Sequence, residues 1–165
     1  DLLTGVFMVR QLQPWHQSLA KRQVKSPKVY VRDSGLLHQL LGVRTQADLE
    51  RHPKLGASWE GFVIEALLQR LAPDAAYFWA THQGAELDLL CLRRGKRHGF
   101  EVKRADAPSL TSSMRVALHD LGLDTLTVIY PGEKRYRLAP RVTVMPSAEL
   151  ATLTWAAVSS RRADS

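Results

Sequence analysis

An α/β domain, with a mixed central sheet flanked by helices, is the fold class this sequence predicts. Three observations predict it. Two segments, 58–71 and 109–122, carry apolar residues at helical spacing. Short β-rich runs bounded by turn residues lie between and after them, at 76–81, 85–106 and 125–132. The main body therefore runs helix, three strands, helix, strand, an order that packs as one sheet with helices against it.

The bulk numbers fit one compact domain. The chain has 165 residues, 45% hydrophobic and 24% charged, enough to bury a core without covalent staples. Cys91 is the single cysteine, which excludes an intramolecular disulfide and any cysteine zinc cage. No apolar run reaches the ~20 residues that span a bilayer, and no signal peptide is expected. A cytoplasmic location without membrane association is expected. The chain starts at Asp1 and its first methionine is Met8, which reads as a fragment of a longer protein. The net charge of +7 favours polyanions such as nucleic acid.

Each element has its own signal. Gly5–Trp15 reads as a strand ended by Pro14, and a polar basic connector follows. Lys28–Asp33 alternates and reads as a second strand pairing with the first. Asp33–Gly42 is a short helix, capped by Asp33 or Ser34 and stopped by Gly42. A connector spans 43–56. In the helix Ser58–Leu71, Trp59, Phe62, Val63, Ala66 and Leu67 form the stripe, Ser58 is the cap and Pro73 the end. Ala76–Thr81 is an aromatic strand. In the second long helix Leu110, Met114, Ala117, Leu118 and Leu121 form the stripe and Gly122 the stop. The run 125–132 is a buried strand closed by Pro-Gly, 136–146 gives one or two more strands, and the tail is polar.

The hairpin 85–106 carries the chemistry. Strand side chains alternate between faces, so Glu86 and Asp88 share one with Leu90 and Leu92, and Glu101 shares one with Lys103. A turn at Gly95-Lys96 sets Asp88 opposite Lys103. A slip of one residue pair sets Asp88 opposite Glu101, and either register leaves two carboxylates within reach of a shared ion. Magnesium takes oxygen ligands and needs only one or two protein carboxylates, so Mg²⁺ or Mn²⁺ is the implied cofactor. A lysine beside it stabilises negative charge. Glu60, near the start of the first long helix and at the edge of its stripe, is a third acid the fold can aim at the sheet. The same Glu-Val-Lys is also ordinary material for cross-strand salt bridges.

The segments "GASWE", "AELD" and "EVK" resemble the PD-(D/E)XK nuclease-like superfamily, whose core is built as helix, strand, hairpin, helix, strand. More closely, "KSPKVYVRDSGL", "GASWEGFVIEALL", "YFWATHQGAELDLL" and "FEVKRAD" resemble the C-terminal domain of prokaryotic AAA-type ATPases, domain-of-unknown-function family 4143. The likeness extends from about Leu2 to Leu150. It implies a restriction-endonuclease-like core with an N-terminal β-hairpin, the remnant of a winged-helix segment, and an ATPase module upstream. On that reading residues 1–32 are the hairpin and connector, 33–150 the α/β domain and 151–165 a polar tail. The resemblance matches Glu60 to the helical acid, Asp88 to the hairpin acid, and Glu101 and Lys103 to the Glu-X-Lys pair. Asp88 and Glu101 would hold the metal with help from Glu60, while Lys103 would orient the attacking water. Leu87 stands where the superfamily has proline before the first acid. The expected partner is nucleic acid, DNA above all. Phosphodiester hydrolysis stays open, with a non-catalytic recognition or oligomerisation module as the alternative.

No Gly-x-x-x-x-Gly-Lys-[Ser/Thr] loop occurs, so no ATPase site is expected in this chain. Arg93, Arg94, Lys96 and Arg97 at the hairpin turn, with Arg104, are the candidate phosphate contacts, and Lys21, Arg22, Lys25 and Lys28 form a second basic cluster. The six histidines are scattered, with no His-x-x-x-His pair. His82 and His98 flank the acidic hairpin and read as solvent-exposed loop residues. Cys91 reads as a small core residue.

Overall fold

A computed structural model describes residues 2–16 and 26–159. The elements run α1 (Leu2–Gly5), β1 (Val9–Leu12), β2 (Lys28–Val31), α2 (Ser34–Leu40), α3 (Gln46–Arg51), α4 (Leu55–Leu71), β3 (Ala75–Ala80), β4 (Glu86–Arg93), β5 (Lys96–Val102), α5 (Ser112–Asp120), β6 (Thr125–Tyr130), β7 (Tyr136–Ala139) and β8 (Val142–Pro146). A 3-10 helix (Ser147–Thr152) and α6 (Trp155–Ser159) follow. Six strands form one sheet in the order β3-β4-β5-β6-β8-β7. The β5-β6 and β6-β8 pairs are parallel and the others antiparallel. The mixed α/β class predicted from the sequence is the observed one.

The sheet has a core on each side. Under α4 lie Val63, Ile64, Leu67, Leu89, Cys91, Phe100 and Ile129. Under α5 lie Met114, Ala117 and Leu121 with Leu87, Leu90, Leu126 and Val128. Each fully buried aliphatic side chain contributes about 1.5–3 kcal/mol through removal from water. The two sheet-facing helices thus account for the apolar runs that mark β4 and β6.

Helix α4 starts earlier than its stripe suggested. Lys54 is its N-cap, and Ser58 lies a turn inside, buried, with Oγ 2.8 Å from Nε2 of His38. The helix closes at Ala72, in the left-handed region at φ 41°, just ahead of Pro73. Its buried face is wider than expected, taking in Gly61, Ile64 and Glu65, because the sheet covers one side and the β1-β2 hairpin another. Phe62, placed in the stripe by spacing, is 48% exposed.

The N-terminal strands pair as expected, antiparallel with Arg10 opposite Tyr30. The first is shorter than Gly5–Trp15, with the turn α1 before it. The hairpin is joined to the domain: Leu12 is buried in the α4-side core, and Arg10 and Arg32 both hold Glu65 of α4. Burial alone would raise Glu65, but hydrogen bonds from Arg10, Arg32 and Gln69 outweigh it and bring the carboxyl down to about 2.

Two expectations are corrected. The connector 43–56 contains α3, entered through a capping box between Thr45 and Asp48. The polar tail does not begin at 151. Leu153 and Val158 are buried under α4, and Nε1 of Trp155 donates to the carbonyl of Leu71 at 2.7 Å. Val158 and the Trp155 indole thus tie this short helix to the domain. Lys21, Arg22 and Lys25 lie outside the described residues.

Candidate functional site

The hairpin turn is Arg94-Gly95, with Arg93 paired to Lys96 and both turn residues at positive φ, 48° and 76°. That is the two-residue turn whose twist suits antiparallel strands, and glycine takes its second position without steric cost. The register it sets continues through Leu89 opposite Phe100. Asp88 and Glu101 come next, so of the two registers open in the sequence, the one that pairs the two acids is realised.

Strict alternation fails in β4. Tyr77 pairs with Leu90, but Trp79 pairs with Leu87, so Phe78 alone stands opposite Asp88 and Leu89. This is a β-bulge. Its consequence shows in the packing: Leu87 and Leu90, three residues apart, both lie in the α5-side core. Glu86 and Asp88 therefore do not simply continue the face of Leu90 and Leu92, as alternation implied. At the bulge the side chain of Asp88 reaches across to β5, where its Oδ2 accepts from the Val102 amide at 2.9 Å. A side chain here replaces a backbone rung.

Glu101 is 95% buried beside Val128, on the α5 side of the sheet. Its Oε1 is 2.7 Å from Nζ of Lys103, and its Oε2 is buried with no hydrogen-bond partner. Burial raises its pKa, against the pull of Lys103. Asp88 is raised to about 7 by burial first, then by the charges of Glu101 and Glu60. Both acids lean toward the protonated form because they share one poorly solvated place.

Glu60 is held from the other side. Its Oε1 accepts from the Tyr30 hydroxyl at 2.6 Å and from Nζ of Lys28 at 3.1 Å. The same ammonium is 3.8 Å from Oδ1 of Asp88. Gly61 lets Tyr30 come this near, since a Cβ there would stand 3.1 Å from Cδ1 of the ring. Burial lowers the pKa of Lys28, but Glu60 and Asp88 more than reverse this, so the ammonium stays charged.

Asp88 is thus the shared member of two groups: with Glu101 and Lys103 across the hairpin, and with Glu60, Lys28 and Tyr30 toward α4 and β2. Among the described residues no three His, Cys, Asp or Glu side chains stand together as a metal-ligand cluster. The donor set fits a two-carboxylate cation site, Asp88 with Glu101, where the unpartnered Oε2 gives the second oxygen. Lys28 and Tyr30 are the site residues that sequence reasoning missed in this role. The available signal was their spacing of two on a strand, which gives them one face.

The basic turn is not part of this site. The hairpin end lies five residues from Asp88, about 16 Å at the rise of a strand. Arg93 pairs with Asp74 at 2.8 Å, and the Arg94 amide donates to the same carboxylate. Arg97 donates to the Leu121 carbonyl and lies over the Trp15 ring. Lys96 shares that distant end, and Arg104 is exposed next to Lys103. His98, expected in a loop, is buried on β5, 2.9 Å from the Thr125 hydroxyl and packed on Trp155. His82 is exposed. Cys91 is a core residue whose burial pushes the thiol up to about 12.

Comparison with known proteins bears on this arrangement. Residues 55–150 match the family Domain of unknown function (DUF4143), and residues 1–47 match a second, Domain of unknown function (DUF8612). The likeness read from Leu2 to Leu150 is therefore shared between two families. The uncharacterized proteins Rv2008c of Mycobacterium tuberculosis and Mb2031c of Mycobacterium bovis are each 52% identical over 152 residues, covering 92% of this chain. The chain spans 34%, about a third, of the length of these curated relatives. No solved structure matches it. With α4, the acidic hairpin, α5 and the sheet all inside a match over more than half of its length, the chain belongs to the DUF4143 family.

Proposed function

We propose that this domain is a PD-(D/E)XK-like, divalent-cation and nucleic-acid-binding module of a prokaryotic AAA-type ATPase, with phosphodiester hydrolysis as its reaction class. One observation carries the reading: the carboxylates of Asp88 and Glu101, half-buried and buried on neighbouring strands, meet where their ladder stops, and Glu101 holds Lys103 with one oxygen and leaves the other bare. The order of helix, three strands, helix and strand around them agrees with it. So does the net charge of +7, which favours a polyanionic substrate.

Asp88 and Glu101 would hold Mg²⁺ or Mn²⁺, and the ion, once bound, supplies Lewis acidity and an activated water. The bulge and the Val102 amide fix the Asp88 carboxylate against β5. Lys103, held by Glu101, keeps an ammonium where a phosphate would gain negative charge. Glu60 bears on Asp88 through Lys28 rather than by direct ligation.

The alternative, a non-catalytic recognition or oligomerisation module, has an observation of its own. Glu60 is paired with Lys28, and Glu101 with Lys103. Such a network can serve to hold a hairpin to a helix. Incubation of single- and double-stranded DNA and RNA with Mg²⁺ or Mn²⁺ decides between them. The hydrolytic reading expects cleavage that Lys103→Ala and Asp88→Asn each reduce at least a hundredfold. Absence of metal-dependent cleavage on every substrate leaves the non-catalytic reading standing.

A further inference from the structure

We propose that Lys28 is a built-in counter-ion of the acidic site, seated at the edge of the cation position and released when a divalent ion binds. The inference deepens the cation-binding reading and rests on it. Three observations carry it. The ammonium of Lys28 lies 3.1 Å from Glu60 and 3.8 Å from Asp88, so one positive charge already serves two of the acids. Its Nζ sits 5.5 Å from the centre of the Phe78 ring, the residue facing the bulge, which steers it toward Asp88. The bare Oε2 of Glu101 is still unserved, so the lysine only partly neutralises the group.

Charge arithmetic makes the two cations rivals. A divalent ion on Asp88 would stand within a few ångströms of the Lys28 ammonium, and like charges at that separation repel modestly in water and several-fold more in the lower dielectric of a part-buried site. The ion can bind well only if Lys28 moves aside. Lysine has the means, with a flexible stem and a head that gains hydration as it leaves. Glu60 keeps its hydrogen bond from Tyr30 when that happens, so one acid is not stranded.

The origin of Lys28 adds a second consequence. It lies on β2, within residues 1–47, while Glu60, Asp88, Glu101 and Lys103 lie within residues 55–150. The site is therefore composite across two family segments. A hairpin lifted from α4 carries Lys28 away together with the Arg10 and Arg32 contacts to Glu65.

The test measures Mn²⁺ binding to the whole chain by electron paramagnetic resonance, with no substrate present. Lys28→Met and Lys28→Gln are each expected to bind Mn²⁺ about tenfold more tightly than the parent, and Lys28→Arg within about twofold of it. A readout without substitution uses an amine-acylating reagent and peptide mass spectrometry. Saturating Mn²⁺ is expected to raise modification of Lys28 severalfold, and this arm stands even if a variant fails to fold. Equal or weaker Mn²⁺ binding by both neutral variants, or unchanged Lys28 modification in a Mn²⁺-loaded parent, overturns the counter-ion role and leaves the cation site intact. No Mn²⁺ binding by the parent or any variant overturns both.

Discussion

The amide of Val102 donates to the carboxylate of Asp88 across 2.9 Å, at the point where the ladder between β4 and β5 gives way to side chains. This bond holds an acid in a place that disfavours its charge. Burial, Glu101 and Glu60 together raise Asp88 to about 7. Its folded pKa thus lies above the ordinary value of about 3.9. The folded state keeps a proton that the unfolded chain has lost, so the stability due to this group is full below about pH 4 and is lost as pH rises through 7. Asp88→Asn keeps an oxygen for the Val102 amide and removes the charge. In metal-free buffer this variant is expected to melt above the parent at pH 8 and close to it at pH 5. Thermal unfolding at the two pH values checks this, and equal melting at pH 8 would contradict the raised pKa.

Glu65 shows the opposite dependence. Two arginines and Gln69 bring it to about 2 against its burial, so its stabilising share is present above pH 4.5 and is lost as pH falls toward 2. Removing one partner of a fully buried pair costs about 3–5 kcal/mol. Arg10 and Arg32 keep 29% and 24% of their side-chain surface exposed, so Glu65→Gln is expected to cost less, about 2 kcal/mol at pH 7. Urea unfolding from pH 7 down to pH 3 is expected to show the gap narrowing. A constant gap would mean that Glu65 acts by packing alone.

Arg94 is a turn residue at φ 48°, where a side chain with a Cβ costs roughly 1–2 kcal/mol. Asparagine tolerates this region better and leaves the Arg94 amide free to donate to Asp74. Arg94→Asn is expected to raise stability by about 0.5 kcal/mol. It is also expected to change nucleic-acid affinity little, because the turn lies at the far end of the hairpin from Asp88. Denaturant titration and a binding isotherm at fixed salt measure both. A marked loss of affinity would return the turn arginines to the interface.

Much of the fold was legible because local rules and tertiary packing agree. Asp33 caps α2 through the Leu36 amide, and Thr111 caps α5 through that of Met114. The spacing of Met114, Ala117 and Leu121 marked the buried side of α5. The capping box of Thr45 and Asp48 was equally readable, yet α3 has no buried residue, so no apolar stripe drew attention to it.

By itself the sequence pointed to the α/β class and the order of helix, three strands, helix and strand, and it offered Glu60, Asp88, Glu101 and Lys103 as candidates. Periodicity and residue chemistry are local properties, and the sequence carries them in full. Only the tertiary structure decided how the set is arranged. The bulge opposite Phe78 broke the alternation that would have put Asp88 on one face with Leu90, and the Asp88 carboxylate reaches across to Val102. The β1-β2 hairpin brought Lys28 to Glu60 from 32 positions away, and packing of β5 set Glu101 beside Val128. Such contacts depend on register and on which surfaces meet, and neither is encoded in the spacing of neighbours along the chain.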